Sequence, residues 1–388
     1  MTTPYRFPTD ERFTCEGCTR CCRELPVAVT DAEVAVLAGV RNRHGVADPF
    51  ATDPQGGRIL LHVDGACVFL ELDGRCAVHA QVGYAAKPGP CRKYPFYTVS
   101  DAERRYVRAS FACPTVVAAR GAGPDELAQA IERDVEPAPL PATYRLGAVE
   151  LSSALYERLE AVLAEWLAQA PDLPRAIAGA GALLPQLEVA DLDATLDRRA
   201  APETRARLAA EARPFGARDA RILLAPFLLL AAPTAQSRPS RALHAVRLLA
   251  GRGRFRTWVD AADVPLVAQA TVRWPAALER PGGLLRRYLV HLVRSRAFLT
   301  GLSVEMQVNL VGVAYALVRW NARARAALAG RPEASEADLV TAVQDTDRDH
   351  FAHNATEARL LCNGWVGLWL DLMFRGPRRL AGLVLESS

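Results

Sequence analysis

The residues of this chain that could do chemistry are its cysteines, and they are concentrated near the N-terminus. Four of the nine lie within the eight-residue stretch Cys15–Cys22, with the spacing C-x2-C-x2-C-C. The others are Cys67, Cys76, Cys91, Cys113 and the distant Cys362. Thiolates are soft ligands for zinc, iron and iron–sulfur clusters, and C-x2-C spacing lets two thiolates of one turn converge on one ion. This concentration predicts a metal or cluster site within residues 15–113.

More cysteines are present than one site needs. The predicted metal ligands are Cys15, Cys18, Cys21, Cys22, Cys67, Cys76 and Cys91. Four ligands satisfy a zinc ion or one cubane cluster, so either two sites exist or several cysteines bind nothing. Neighbouring side chains diverge, so Cys21 and Cys22 seldom both bind one ion. A structural zinc site, an iron–sulfur cluster, mononuclear iron and unligated thiols all remain open. Cys113 is a weaker candidate.

Two side chains close to the cysteines are candidates for a supporting role. Arg92 follows Cys91, and its guanidinium could hydrogen-bond a cluster sulfur or a substrate carboxylate. We therefore assign Arg92 as a candidate cofactor-binding residue. His79 follows Cys76 by three residues, and it is either a further ligand, a neighbour of the site, or a histidine with no part in it.

A pair of histidines near the C-terminus is the candidate catalytic group. His350 and His353 lie three residues apart and share one face if the segment is helical. Carboxylates at Asp345, Asp347 and Asp349 surround them. Such a group could act as a general base that deprotonates an amine, or it could orient a substrate ammonium. The alternative is a polar helix face that carries a satisfied histidine.

The composition is that of an ordinary globular protein. Half of the 388 residues are hydrophobic and 23% are charged, and a net charge of +4 is small for this length, so we expect no nucleic-acid partner. Residues 1–14 are polar and contain no apolar segment of a secretory signal. The most apolar run, residues 222–232, is far short of the ~20 residues that span a bilayer. We expect a cytoplasmic protein without a membrane partner, in which cysteines are thiols or ligands.

Capping and turn signals predict short elements in the first 120 residues. Thr30 and Glu33 have the spacing of a capping box, which predicts a helix that begins after Thr30 and ends near Gly39. Asp73-Gly74 is a hairpin signal. Short strands are predicted at 59–63, 66–72 and 76–79.

After Cys113 the pattern becomes helical. Helices are predicted at 148–168, 202–212, 217–230, 238–249, 284–299, 304–328, 336–351 and 355–374. Ser335 is a good N-cap, with Asp338 three residues later. The predicted fold is mainly α, with a small N-terminal cysteine-rich α+β metal-binding domain (1–120), a short helix and Pro-rich linker (121–142), and a larger all-α domain (143–388).

The order and spacing of these motifs resemble a known family. C-x2-C-x2-C-C, Ala66-Cys67, Arg75-Cys76 and Lys87-Pro88-x-x-Cys91 together resemble the YkgJ-type cysteine-cluster family, the zinc- or iron-chelating CxxCxxCC domain. The resemblance covers about residues 13–115. One departure is that Lys87-Pro88 stands where the family commonly has Arg-Pro.

Within that family the layout is similar to the flagellin lysine N-methylases. Residues 285–289 and 349–354 look similar to segments of those enzymes. This resemblance implies methyl transfer from S-adenosylmethionine to a protein lysine or other amine, assisted by an iron–sulfur centre. The chain shows neither a radical S-adenosylmethionine loop nor a Gly-rich nucleotide-binding turn. The alternative function is a non-catalytic zinc- or iron-binding protein whose helical domain binds a partner.

Overall fold

The computed structural model describes residues 4–53, 56–213, 224, 227–228, 243, 246–248, 250–256, 263–265, 270–351 and 377–386. The chain forms two compact units. The cysteine unit consists of Asp10–Thr98 and Cys113–Pro137, and the helical unit consists of Met1–Thr9, Val99–Ala112 and Ala138–Ser388. The domain boundaries predicted from the sequence, after residues 120 and 142, stay a prediction.

Most of the described secondary structure is helical, and the strands are short. The strands are β1 Tyr5–Arg6, β2 Phe50–Thr52, β3 Arg58–Leu60, β4 His62–Val63, β5 Ala66–Cys67, β6 Phe96–Ser100, β7 Arg105–Ala109, β8 Ala138–Pro139, β9 Thr143–Leu146, β10 Val149–Ser152, β11 Arg254–Arg256 and β12 Asp263–Pro265. The α-helices are α1 Arg20–Glu24, α2 Asp31–Leu37, α3 Ala77–Gln81, α4 Gly89–Lys93, α5 Pro114–Ala118, α6 Pro124–Asp134, α7 Ser153–Gln169, α8 Leu173–Leu183, α9 Leu192–Arg199, α10 Pro202–Glu211, α11 Leu284–Arg294, α12 Val304–Leu328, α13 Glu336–Thr346 and α14 Pro377–Glu386. The predicted fold class, mainly α with a small cysteine-rich region that contains strands, is confirmed.

The start of helix α2 follows the predicted capping box. The Thr30 hydroxyl accepts a hydrogen bond from the Glu33 N–H, and the Glu33 carboxylate accepts one from the Thr30 N–H. Two of the orphan N–H groups at this helix end are therefore satisfied. The helix ends at Leu37, close to the predicted Gly39. Leu37 is fully buried in the core of the cysteine unit.

The predicted strand at 76–79 is wrong, because this segment is helix α3. Cys76 is its N-cap residue, and Ala77 and Val78 are buried on its inner side. The hairpin of this region lies earlier, where β4 pairs with β5 across Asp64 and Gly65. Both turn residues have positive φ, 51° and 72°, as a type I′ turn requires. Asp73-Gly74 is a turn too, but it is flanked by a single bridge between Leu70 and Cys76.

The helical unit contains β1, β7, β8 and the last two residues of β6, which lie in a four-stranded sheet of order β1-β7-β6-β8, together with the packed helices. Helix α8 contacts α7, α10, α12 and α14. Helix α12 has the predicted bounds, and the capping box at Ser335 is present at the start of α13. The predicted helix at 148–168 begins later, at Ser153, because Val149–Ser152 pairs with Thr143–Leu146 as a hairpin.

Other helix predictions have mixed outcomes. The helix predicted at 284–299 ends at Arg294, and Arg296 has a left-handed φ of 53° that stops it. The helix predicted at 336–351 ends at Thr346 and continues as a π-helical turn, Asp347–Phe351. Helices α8, α9 and α14 are not among the predicted ones. The helices predicted at 217–230, 238–249 and 355–374 lie wholly or largely outside the described residues.

A buried arginine organises the polar interior of the helical unit. The Arg296 side chain is fully buried, and its Nε lies 2.7 Å from Oε2 of Glu160 on α7. Its guanidinium carbon lies 4.0 Å from the centre of the Tyr106 ring on β7. Burial of a charge is tolerated only when a partner charge and hydrogen bonds compensate it, and Glu160 supplies that charge.

Within the described part of the chain, no helix is both long and apolar enough to cross a membrane.

Gly312, in the middle of α12, allows helix α14 to pack closely. A Cβ atom at this position would overlap Cδ1 of Leu380 and lie 3.4 Å from Cγ1 of Val384. We expect Gly312→Ala to lower the free energy of unfolding by about 1–3 kcal/mol, because overpacking outweighs the better helix propensity of alanine. Urea denaturation of the purified protein measures this change.

A double-mutant cycle tests the stated cause. Leu380→Ala removes the atom that Gly312→Ala would overlap, so the two substitutions together should cost less than the sum of their separate costs. Additive costs would show that contact with Leu380 is not what excludes a side chain at position 312.

Candidate metal centre

Five thiols come together in the cysteine unit although they lie on different elements. We call them the thiol group, and its members are Cys21 and Cys22 on α1, Cys67 on β5, Cys76 at the N-cap of α3, and Cys91 on α4. Cys67 belongs to the apolar core of this unit, and Cys22, Cys76 and Cys91 pack against that core. The Sγ atoms of Cys21 and Cys22 are 3.9 Å apart. Residues up to 70 positions apart in sequence thus share one neighbourhood.

The electrostatics of these thiols show that they are neighbours. Burial raises the pKa of Cys67 to about 11, and the negative charges that Cys76 and Cys21 would carry add to this shift. Burial raises the pKa of Cys91 to about 12, with Lys87 acting against the shift and Cys67, Cys76 and Cys21 adding to it. Cys67 and Cys91 are therefore protonated at neutral pH in the absence of a cation that compensates their charge.

Cys21 has the strongest bias toward the neutral form. Its hydrogen bond with Cys22 and its burial both raise the pKa of the Cys21 thiol well above the ordinary range, while Lys87 lowers it. Lys87 therefore acts on both Cys21 and Cys91. A cation at this position favours thiolates, and it is the position at which Lys87-Pro88 replaces the Arg-Pro that is common in the family.

Glu33 fixes the segment that carries Cys91. Its Oε1 accepts a hydrogen bond of 2.7 Å from the N–H of Gly89, the first residue of α4, and its Oε2 accepts one from Thr30. Burial acts to raise the pKa of Glu33, but the hydrogen bonds from Thr30 and Gly89 outweigh it, and the pKa is lowered. One carboxylate thus joins the start of α2 to the start of α4.

A second pair of cysteines lies in the same unit. Cys113 is buried at the N-cap of α5, and burial raises its pKa, with hydrogen bonds from the N–H groups of Val116 and Thr115 acting against the shift and the charge of Cys18 adding to it. Cys18 and Cys15 are exposed. Cys113 is therefore a neighbour of Cys18, although the sequence marks it only as a weaker candidate. In the sequence, Cys113-Pro114 indicates the start of a helix, because proline suits the first helical position, but it does not indicate that Cys18 lies nearby.

Arg92 and His79 contribute to the packing of the unit. The Arg92 Nε lies 3.4 Å from Oδ1 of Asp134 on α6, and its Nη1 donates to the carbonyl oxygens of Ala85 and Lys87. These contacts hold α4 against α6 and the preceding turn. His79 lies on the exposed side of α3, with its ring 5.9 Å from that of Tyr84. The cofactor-binding role of Arg92 stays a prediction.

The predicted catalytic histidines are only partly described. His350 lies in the π-helical turn of the helical unit and is 2% exposed, with its ring edge-on to that of Phe227 at 6.0 Å. The nearby Asp347 is fully buried and accepts hydrogen bonds from the Ser110 hydroxyl at 2.8 Å and from the Ala112 N–H. His353 lies outside the described residues. A catalytic role for His350 and His353 stays a prediction.

The donor chemistry of the thiol group suits zinc or iron. Both metals take thiolate sulfur, and an all-thiolate set of four serves zinc or an iron–sulfur cluster equally. Among the described side chains, no three cysteines, histidines or carboxylates are arranged as ligands of one metal ion. The residues therefore suit a metal in the type of their donor atoms and in their proximity to one another. Those that would hold the metal are Cys67, Cys76 and Cys91 together with one of Cys21 and Cys22.

Comparison with known families gives a match to one segment of the chain. Residues 14–114 match the family model CxxCxxCC, whose description is "Putative zinc- or iron-chelating domain". The matched segment contains the whole thiol group together with Cys15, Cys18 and Cys113. The resemblance to the YkgJ-type cysteine-cluster family is thus confirmed for this segment. Neither the curated proteins nor the solved structures provide a match to the chain.

Loss of the Glu33 carboxylate should weaken metal binding without removing a ligand. We expect Glu33→Gln to reduce the affinity for Zn²⁺ roughly 10- to 100-fold, as substitutions of groups that orient ligands typically do. Competition with a chromophoric chelator measures the affinity. Glu126→Gln, at an exposed position on α6, is the matched control and should leave it unchanged. Equal affinity in both variants would contradict a positioning role for Glu33.

Metal affinity should also rise with pH. Because the pKa values of Cys67 and Cys91 are raised to about 11 and about 12, both thiols must lose a proton when metal binds at neutral pH. Each proton displaced makes the apparent affinity about tenfold higher per pH unit, up to the pKa of that thiol. Chelator competition for Zn²⁺ at pH 6.5 to 8.5, with the protonation of the chelator taken into account, measures the slope. An affinity independent of pH would contradict thiol ligands.

Proposed function

We propose that the cysteine unit holds an iron–sulfur cluster, with one of Cys21 and Cys22 and with Cys67, Cys76 and Cys91 as the ligands. The observation that carries the proposal is the gathering of five thiols from four separate elements into one neighbourhood. The match of residues 14–114 to a zinc- or iron-chelating family supports a metal at this place. The resemblance of the layout to the flagellin lysine N-methylases favours a cluster over a zinc ion.

The apolar surroundings support a cluster as well. Val68, Phe69 and Val78 are almost fully buried in the core against which the thiols pack. An apolar shell keeps water from a cluster, and its low polarity helps to set the reduction potential. Bound iron would also relieve the crowding of thiols, since each ligand becomes a thiolate whose charge the metal compensates.

Metal and sulfide content decide between the two metals. We expect protein purified without oxygen to contain iron and acid-labile sulfide in comparable amounts and to show the broad visible absorption of a cluster. About one zinc per chain without sulfide would contradict the cluster and leave a structural zinc site.

Single substitutions test the proposed ligands. Cys67→Ser, Cys76→Ser and Cys91→Ser should each lose most of the bound metal, because three remaining thiolates do not complete the site. Cys362→Ser, which lies outside the segment matched by the family model, is the control and should retain the metal. Circular dichroism of each variant separates loss of metal from loss of fold. Folded variants with full metal content would rule out this ligand set.

A narrower function rests on the resemblance alone. We infer that the cluster-bearing protein transfers a methyl group from S-adenosylmethionine to a lysine or another amine, with His350 and His353 as candidates for the base that removes the amine proton. Incubation of the iron-loaded protein with methyl-labelled S-adenosylmethionine and a lysine-rich protein tests this inference. No transfer of label, from protein that does contain the cluster, would favour the alternative of a non-catalytic metal-binding protein whose helical unit binds a partner.

A further inference from the structure

The helical unit contains an open pocket whose chemistry the proposed metal centre does not use. Its volume is about 570 Å³, within the range of pockets that bind small molecules. The wall is formed by the start of α8, the segment before the Ala276–Glu279 turn, and the C-terminal half of α12. Its charged and aromatic residues are Asp172, Arg273, Trp274, Glu279, Arg319 and Arg323.

Arg319 is a buried charge whose hydrogen-bonding capacity is only partly used. It is 2% exposed and lies on the face of α12 that lines the pocket. Its Nη1 donates to the Tyr315 hydroxyl and lies 3.8 Å from Oε1 of Glu279, and its guanidinium carbon lies 5.2 Å from the Trp274 ring. Its Nε atom is buried and has no hydrogen-bond partner among the described residues. A buried N–H of a charged group without an acceptor is costly, and because Arg319 lines a pocket, a ligand there could supply the acceptor.

The carboxylate oxygen that lies beside Arg319, Oε1 of Glu279, already accepts hydrogen bonds from other donors. Oε1 of Glu279 accepts hydrogen bonds of 2.7 Å from the Trp274 indole N–H and of 2.7 Å from the Tyr315 hydroxyl. This arrangement holds the indole ring in the wall of the pocket, next to the guanidinium. Asp172 is occupied elsewhere, since it caps α8 and pairs with Arg175.

A second guanidinium lies one helical turn further along α12. Arg323 is half-buried and donates to the carbonyl oxygens of Val272 and Ala270, which fixes it at the pocket edge. Burial and the charge of Arg319 both lower the pKa of Arg323, so the two cations repel each other. An anion between them would relieve this repulsion and supply an acceptor for Arg319.

We propose that this pocket binds a small ligand that carries one carboxylate or phosphate group, with Arg319 and Arg323 as the anion-binding pair and Trp274 as the apolar wall. Guanidinium groups bind carboxylate and phosphate oxygens through paired, charge-assisted hydrogen bonds. The indole face beside them suits the carbon skeleton of the ligand. The site lies wholly in the helical unit and does not depend on the metal centre.

Titration with simple anions tests the site in the full-length protein. Benzoate and inorganic phosphate represent the two anion classes, and both are added at constant ionic strength so that general salt effects cancel. We expect saturable binding of at least one of them by calorimetry, together with a change in tryptophan fluorescence. Because the chain has six tryptophans, Trp274→Phe should remove most of the fluorescence change, which assigns that change to the pocket. Saturation by one probe and not by the other assigns the anion class.

The variants determine whether the pocket is the binding site. Arg323→Gln should weaken binding at least about tenfold, as loss of a charge-assisted hydrogen bond does, and Arg323→Lys should recover part of it. Arg280→Gln makes the same change in net charge at an exposed position that pairs with Glu336, and it should bind like the unchanged protein. Arg319→Gln serves as a second test if thermal denaturation shows that it folds. Absence of saturable binding of both probes, or equal affinity in Arg323→Gln and Arg280→Gln, would overturn the proposal.

Discussion

Crowding of thiols that are buried or partly buried is the physical constraint that governs the cysteine unit. Five thiols share one neighbourhood, and the charges that Cys21 and Cys76 would carry raise the pKa values of Cys67 and Cys91. Without a cation, the favourable state of Cys67 and Cys91 is the neutral thiol in or against the apolar core. With a bound metal, the same thiols would become the proposed ligands, because the positive charge of the metal would compensate the thiolate charges.

Short elements can position such a group only when they are joined to one another. Helices α1, α3 and α4 each have five residues, too few to be stable alone. Glu33 joins the starts of α2 and α4, and Arg92 joins α4 to α6 through Asp134. These two charged side chains act between elements, and neither is a member of the thiol group. The geometry of the site thus depends on its surroundings as much as on its ligands, as is common for metal sites.

The sequence predicted those features that depend on local chemistry. The Thr30–Glu33 and Ser335–Asp338 capping boxes and the bounds of α12 follow from residues close together in the chain. The cysteine spacing alone also predicted the class of the site. Features that depend on distant partners are not predictable from local patterns, as the hydrogen bond between Glu33 and Gly89, 56 positions apart, shows. The error at α3 has another cause. Its buried residues, Ala77 and Val78, suit a helix or a strand, so the short apolar run does not decide between them. Nothing in the spacing indicated that Cys113 would lie beside Cys18.

The helical unit has a chemistry of its own. Arg296 is matched by Glu160, whereas Arg319 lies beside a carboxylate that already accepts two other hydrogen bonds. Both guanidinium groups keep one buried nitrogen without a hydrogen-bond partner among the described residues, Nη2 of Arg296 and Nε of Arg319, so this feature alone does not identify a ligand site. The surroundings differ, because Arg296 is paired with Glu160 at 2.7 Å, whereas Arg319 lies 3.8 Å from Glu279 and lines an open pocket together with Arg323. The proposed anion site therefore rests on the pocket and its two arginines together, since a ligand in that pocket could supply the acceptor that Arg319 lacks.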